Sequence, residues 1–423
     1  MYQVSDSTAL LRAHKRLLSR APSSPRVART VVLLGLTSLI TDISAEMVAT
    51  VLPLYLVYIG GFTPLAYGVI DGLYQGATSL VGLASGFIGD RFRRHKDVAT
   101  TGYSLSAVSK LLLAVGGTAV SGVGAIVLLD RIGKGIRTAP RDTMISLSTP
   151  KESLGTAFGV HRALDTTGAV IGPILAFAML AIAPLAFHQL FIVSFCIALV
   201  GVGILVLLVQ PQRVKGAAAA EERPAPSLRG AFGLMRIPRY RSLVIAGAAL
   251  SLATASDAFI FLTLQKKLDL GVSMFPLLFV GSSAIYMVLA VPVGRLADRI
   301  GRGRVLIGGY ALLLGVYATL LLPSGGWALL FVALGLLGAY YAATDGVLMA
   351  LGSAIVPDEV RGSGLALLGT ATSIARLVAS LLFGALWTLW GINAAVAWFG
   401  VALVAAIALA AFLLRRTHEH QLA

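Results

Sequence analysis

Residues 190–209 read LFIVSFCIALVGVGILVLLV. No residue in that run carries a charge. As a helix it rises about 30 Å, the thickness of a bilayer's hydrocarbon core. It lacks the strict alternation of a barrel strand, and such strands need only about 10 residues. The run therefore reads as a membrane-crossing helix, and the rest of the chain repeats it.

Five runs precede it, at about 31–59, 65–89, 98–115, 125–144 and 154–182. Six follow, at about 243–264, 275–296, 305–322, 328–355, 364–389 and 394–414. The expected fold class is all-α integral membrane, twelve transmembrane helices in two six-helix bundles. The composition agrees. The 423 residues are 57% hydrophobic and 13% charged, against roughly 45–50% and about 25% in soluble domains. That excludes most soluble enzyme classes.

The +15 net charge does not imply nucleic acid, because the basic residues sit between apolar runs rather than in a basic domain. They cluster in the segment before residue 30, at Arg91, Arg93, Arg94 and Lys96, in the loop at 210–242, and at Arg299, Arg302 and Arg304. The alternate connections, such as 60–64, 116–124 and 183–189, carry no charge, and Lys266, Lys267 and Asp269 are the exception. Lysine and arginine favour cytoplasmic loops. Both termini are thus expected in the cytoplasm of a prokaryotic plasma or inner membrane. The expected organisation is an N-terminal segment 1–30, a bundle 31–209, a central loop 210–242, a bundle 243–414 and a tail 415–423. The one cysteine, Cys196, cannot form an internal disulfide.

The two bundles echo each other. Gly86-Phe-Ile-Gly-Asp90-Arg91 and Gly294-Arg-Leu-Ala-Asp298-Arg299 lie 208 residues apart. Pro150-Lys-Glu152 and Pro357-Asp-Glu359 lie 207 apart. Two landmarks at nearly one spacing indicate duplication, the build of an alternating-access transporter with its solute site between the halves.

These motifs carry a resemblance. Gly294-Arg-Leu-Ala-Asp298-Arg299-Ile-Gly301-Arg302-Gly303-Arg304 resembles the loop signature of the major facilitator superfamily, here after the eighth helix. The first-half copy has Arg93 where that pattern has glycine. Arg131 with Gly135 resembles the superfamily's helix-4 signature. Gly168-Ala-Val-Ile-Gly172-Pro173 resembles the helix-5 signature of its proton-driven exporters, although Ala176 and Phe177 replace a glycine pair. Asp42-Ile-Ser-Ala-Glu46 and the stretch Arg131 to Asp142 are similar to a prokaryotic, drug-exporter-like subgroup of unknown substrate. The resemblance implies that helices 1, 4, 7 and 10 surround a central cavity.

Within the spans, ionisable residues are costly and mark function. Asp42 and Glu46 share a helix face. Asp42 lies ~16 Å into its run at ~1.5 Å per residue, at a depth comparable to Arg131. An Asp42, Glu46 and Arg131 cluster is the expected proton-coupling site, with His161 and Asp165 as a relay. A static ion pair is the structural alternative. Arg131, Lys134, Arg137 and Arg141 form a basic stripe suited to an anionic solute or to lipid phosphates. Lys110 and Asp71 are expected to pair locally. In the second half, Asp257, Asp345 and Arg376 are the expected charges of the solute cavity, with Tyr340 and Tyr341 lining it, and one of the two carboxylates pairing with Arg376.

Asp90, Arg91, Arg94, Asp142, Asp298, Arg299 and Arg302 are expected to form a conformational latch between helix ends. Gly168, Gly172 and Pro173 are expected to serve helix packing. Trp327, Trp387 and Trp390 fit an aromatic belt. No P-loop and no metal-ligand spacing is present, so no cofactor is expected. The expected partners are the lipid bilayer, a small-molecule substrate and protons, with the chain a monomer. The function this implies is proton-coupled antiport exporting a small amphipathic or anionic molecule. Import by proton symport and lipid flipping are the alternatives.

Overall fold

The computed structural model describes residues 28–92, 94–116, 119–150, 153–210, 233–323, 326–357 and 360–419, without the side chains of 78–80, 82–92, 155, 361–363 and 415–419. The first half contains α1 (Arg29–Leu54), α2 (Pro64–Phe92), α3 (His95–Val115), α4 (Val120–Leu147), α5 (Leu154–Ile182) and α6 (Phe187–Leu208). A π-helical turn, Tyr55–Ile59, extends α1. The second half contains α7 (Pro238–Leu252), α8 (Asp257–Leu268), α9 (Phe275–Ile300), α10 (Arg302–Leu321), α11 (Gly326–Thr344), α12 (Val347–Ile355), α13 (Arg361–Trp390) and α14 (Ile392–Glu419).

These make twelve spans, because α7 with α8 and α11 with α12 each form one interrupted span. Among the described residues, ten spans are long and apolar enough by themselves to cross a bilayer. The other two are α2 and α4. The side chains of much of α2 lie outside the described residues, and α4 carries the charges from Asp130 to Arg141. The helices overrun the apolar runs at their ends: span 7 begins at Pro238 and α14 reaches Glu419. Backbone hydrogen bonding continues into polar residues there. Tyr240, in that early turn, is fully buried and donates to the Gly364 carbonyl at 2.6 Å.

The packing of one half repeats in the other. In the first half α1 packs on α5 and α6, α4 on α2 and α3, and α3 on α6. In the second half span 7 packs on α13 and α14, span 10 on α9 and α10, and α10 on α14. The duplication read from two short motifs is thus a duplication of whole bundles. Large apolar side chains face outward on α6 (Val200, Leu207), α9 (Val288) and α14 (Val401). An outer surface of that kind suits lipid, which removes the need to bury it against protein.

The two interrupted spans have local causes. Span 7 opens at Ala253–Ser256. Tyr317 of α10 repairs the freed backbone there, accepting from the Ala255 N–H at 2.7 Å and donating to the Ala253 carbonyl at 3.0 Å. A break within a bundle needs such partners. Span 10 opens at Gly346, whose φ of +76° suits glycine. Lys267 explains its own exception to the charge pattern. Its ammonium caps the end of α10 through the carbonyls of Leu320 and Leu322, where cations are favoured.

Candidate functional site

The helices end on two faces. One, here the basic face, carries Arg94, Lys96, Arg236, Arg302 and Arg304; the other, the charge-poor face, carries the turns near Gly60, Ala183 and Gly391. Hydrogen bonds join the two halves at three places among the described residues. Tyr58 donates to Gln265 Oε1 at 2.5 Å, the Leu65 N–H donates to Thr388 Oγ1 at 2.9 Å, and Ser380 donates to Asp71 Oδ2 at 2.5 Å. All lie between mid-span and the charge-poor face. Tyr67 of the first half meets Phe259 of the second at 5.1 Å between ring centroids, and Phe259 meets Phe383 at 4.8 Å. The halves are sealed on that side.

Beneath the seal, a cavity of about 360 Å³ lies between the halves. That falls within the range of small-molecule sites, ~300–1,000 Å³. Gln75 of α2 contributes from the first half; span 7 contributes Thr254 to Asp257, α9 contributes Tyr286, span 10 contributes Tyr340, Tyr341 and Asp345, and α13 contributes Arg376. Asp257, Tyr340, Tyr341, Asp345 and Arg376 were all expected here. Their pairing differs from the expectation. Tyr341 donates to Asp257, and Tyr286 donates to Asp345 Oδ2 at 3.0 Å. Arg376 makes no ion pair within 4 Å among the described residues, so the expected mirror of a first-half ion pair is absent. Its guanidinium stands exposed in the cavity wall. The tyrosine clamps were missed because an ionic partner outranks a phenol in a reading by residue type.

A smaller cavity of about 130 Å³ adjoins the first and shares Gln75, Asp257 and Phe279 with it. Glu46, Asp71 and Tyr74 also line it. Glu46 therefore faces the space between the halves, with no ion pair within 4 Å among the described residues.

Asp42, Lys110, Asp130, Arg131, Arg137 and Arg141 are paired locally. Asp42 Oδ1 accepts from Arg137 Nη2 at 3.2 Å, and the Arg137 guanidinium lies 4.4 Å from the centre of the Tyr103 ring. Arg131 is not the partner of Asp42. It pairs with its neighbour Asp130 and lies over the Tyr74 ring at 3.9 Å. Lys110 pairs with Asp130 Oδ1 at 2.7 Å rather than with Asp71. Helical geometry explains both corrections. Asp130 points at α3, where Ser106 and Ser109 also donate to it, whereas Asp71 faces α13. Arg131, Lys134 and Arg137 do not line the larger cavity, so the basic stripe is not its anion-binding wall.

His161 and Asp165 join this network. His161 Nε2 is 3.0 Å from Ser38 Oγ, which is 3.2 Å from Tyr103 Oη. Arg141 is 2.9 Å from Asp142 and 3.9 Å from Asp165. Asp165 lies beside Asp42. The structure thus brings Asp42, Arg137, His161 and Asp165 together, with Glu46 one turn along α1 from Asp42.

The latch residues are only partly placed. The side chains of Asp90 and Arg91 lie outside the described residues, as does Arg93. Arg302 pairs with Asp298 at 3.1 Å and donates to the Ala350 carbonyl at 3.3 Å. Both contacts lie within the second half. Arg94 and Arg299 are exposed, and Asp142 holds Arg141. Gly168 and Gly172 abut α1; a Cβ on Gly172 would sit 2.7 Å from the Ile43 carbonyl oxygen. Pro173 lies inside an unbroken α5. Trp327 and Trp390 are exposed, but Trp387 packs against Phe259 and Phe383.

Twelve spans, two equivalent bundles and a cavity between them define a polytopic membrane transporter. The sequence model described as Major Facilitator Superfamily matches residues 34–280 and 243–422. The uncharacterised MFS-type transporter MJ1317 of Methanocaldococcus jannaschii is 31% identical over 392 residues, covering 89% of this chain and 92% of that one. The chain belongs to the major facilitator superfamily. The uncharacterised protein Rv2265 of Mycobacterium tuberculosis is 35% identical over 154 residues, 36% of this chain and 37% of its own. Among solved structures, the nucleoside transporter NupG superposes with a TM-score of 0.73 at 14% identity, over 92% of this chain and 98% of that one. A POT family transporter with a thioalcohol-conjugated peptide gives 0.75 at 13% identity, over 92% and 96%. These two likenesses concern the fold alone.

Proposed function

We propose that this transporter is driven by protons and works by antiport, exporting a small amphipathic or anionic solute across a prokaryotic plasma membrane, with the basic face in the cytoplasm. The observation that carries the reading is the cavity between the halves, sealed toward the charge-poor face. A rocking motion that breaks the seal and closes the basic face would present the cavity to the other side.

The two halves divide the work in this reading. Glu46 and the Asp42–Asp165 neighbours supply the proton sites, with Arg137 and His161 alongside. Arg376 and the tyrosines contact the solute. A free guanidinium suits a carboxylate, phosphate or sulfonate, and the phenol rings suit an apolar body. The organisation 1–30, 31–209, 210–242, 243–414 and 415–423, a monomeric state and the absence of a cofactor belong to the same proposal.

The test begins with a metabolite library. Ligands that raise the melting temperature of the purified protein, but not of Arg376→Gln, are taken into everted vesicles with an imposed pH gradient. Uptake driven by the gradient supports antiport export. Uptake driven only in right-side-out vesicles would indicate symport, and flux indifferent to the gradient would sink proton coupling.

A further inference from the structure

Span 2 and α13 form the closest packing between the halves. Gly68, Gly72 and Gly76 of α2 recur one turn apart and face α13. A Cβ on Gly68 would sit 2.5 Å from the Ser380 carbonyl oxygen, and one on Gly72 would sit 3.0 Å from that of Leu377. Gly384 of α13 abuts the Pro64 carbonyl in return. Small residues permit this approach of backbones. Asp71 lies in the same stretch.

Asp71 is 6% exposed, and among the described residues no cation lies within 4 Å of it. Its neighbours are hydroxyls and an amide. Ser380 donates to Oδ2 at 2.5 Å, Tyr67 Oη is 3.5 Å from Oδ1, and Gln75 and Ser256 lie beside it. Ser380 and Ser256 belong to the opposite half. The titratable and charged groups around it are Tyr67 and Tyr74 on α2, Glu46 on α1, Asp257 on α8, Arg376 one turn from Ser380 on α13, and Arg131 of α4 stacked over Tyr74. From α9 the facing side chain is Phe279.

We propose that Asp71 is a proton site that governs the seal between the halves at the charge-poor face. This rests on the proton-driven reading above and names a switch within it. An isolated buried carboxylate is costly, whereas the neutral acid hydrogen-bonded to hydroxyls is tolerated. Opening the seal withdraws Ser380 and Ser256 and admits water to Asp71, which favours the ionised form. The sealed state therefore holds the proton more tightly than the open one. By linkage, protons favour the sealed state, and raising pH favours opening. The adjoining cavity, shared with Glu46 and Asp257, gives the proton a polar route toward the solute site.

The test uses the full chain in nanodiscs with Cys196→Ser and spin labels at Ile59→Cys and Leu389→Cys. Both positions are exposed, at the charge-poor ends of α1 and α13, one in each half. A short interspin distance is expected at acid pH, with a longer one growing in as pH rises. Asp71→Asn, and Asp71→Ser as a second non-titrating variant, are expected to lose that pH transition. Asp71→Glu restores one, and Asp269→Asn, at an exposed turn outside both cavities, keeps the parent's. A parent distance indifferent to pH overturns the proposal, as does a non-titrating variant that still opens with rising pH. The measurement needs neither solute nor flux, so a failure of proton-driven transport in vesicles remains a separate result.

Discussion

The two halves share a packing plan and differ in how they treat charge. In the first half, Lys110, Arg131, Arg137 and Arg141 each meet a carboxylate, and among the described residues Glu46 and Asp71, which line the smaller cavity, are carboxylates of its spans left without a cation. Its spans are unbroken, apart from the π turn that extends α1. In the second half two spans are interrupted, the carboxylates of Asp257 and Asp345 accept from tyrosines, and Arg376 has no ionic partner among the described residues. A duplicated bundle has thus kept its helix contacts while its polar residues diverged. Charge that is paired within a bundle specifies structure. Charge left open to a cavity between bundles is available for a ligand.

This contrast can be broken most easily at Asp130. Asp130→Asn leaves Lys110 and Arg131 buried with one lost partner, at a cost of about 3–5 kcal/mol for a broken buried pair. Thermal unfolding of the purified protein should show a large fall in melting temperature. Arg376→Gln should change stability by less than about 1 kcal/mol, since no pair is broken, yet abolish the melting shift given by a library ligand. An equal destabilisation by both substitutions would erase the distinction between the halves.

Next in size are the close approaches. Gly172→Ala forces a Cβ against the Ile43 carbonyl and the Glu46 side chain. Overpacking of this kind costs about 1–3 kcal/mol. Gly68→Ala meets Ser380 across the halves instead. It should act mainly by opening the seal, read as a longer distance between labels at Ile59→Cys and Leu389→Cys, with a smaller fall in melting temperature. The smallest effect is expected at Arg302→Ala. Its pair with Asp298 is largely exposed, and such pairs contribute about 0–1 kcal/mol. A melting-temperature loss as large as that of Asp130→Asn would show that this contact is more than an exposed helix pair.

Much of the fold was legible because lipid imposes a simple rule: each span must be long, apolar and helical. The runs at 190–209 and 394–414 could be read by eye, and Gly294 to Arg304 exposed the duplication. The interruptions were not legible. Ala253 to Ser256 lies inside an apolar run, and its break depends on Tyr317, more than sixty residues away. The candidate site was half legible. Intramembrane charge singled out Asp257, Asp345 and Arg376, and the cavity contains all three. Partner choice was hidden, because whether Asp42 meets Arg131 or Arg137 turns on the rotation of α4 against α1. The expected local ion pair at Asp71 fails for the same reason. Its partner Ser380 lies 309 positions away, in the other half.

In the proposed mechanism, proton sites in the first half drive movement of a solute bound by the second. It is tested most directly in proteoliposomes loaded with a library ligand that stabilises the parent but not Arg376→Gln. Under an imposed pH gradient, the parent is predicted to move the ligand against its concentration, while Glu46→Gln retains exchange across the membrane and loses the uphill movement. Uphill movement that survives in Glu46→Gln, or a parent whose flux ignores the gradient, would contradict the account.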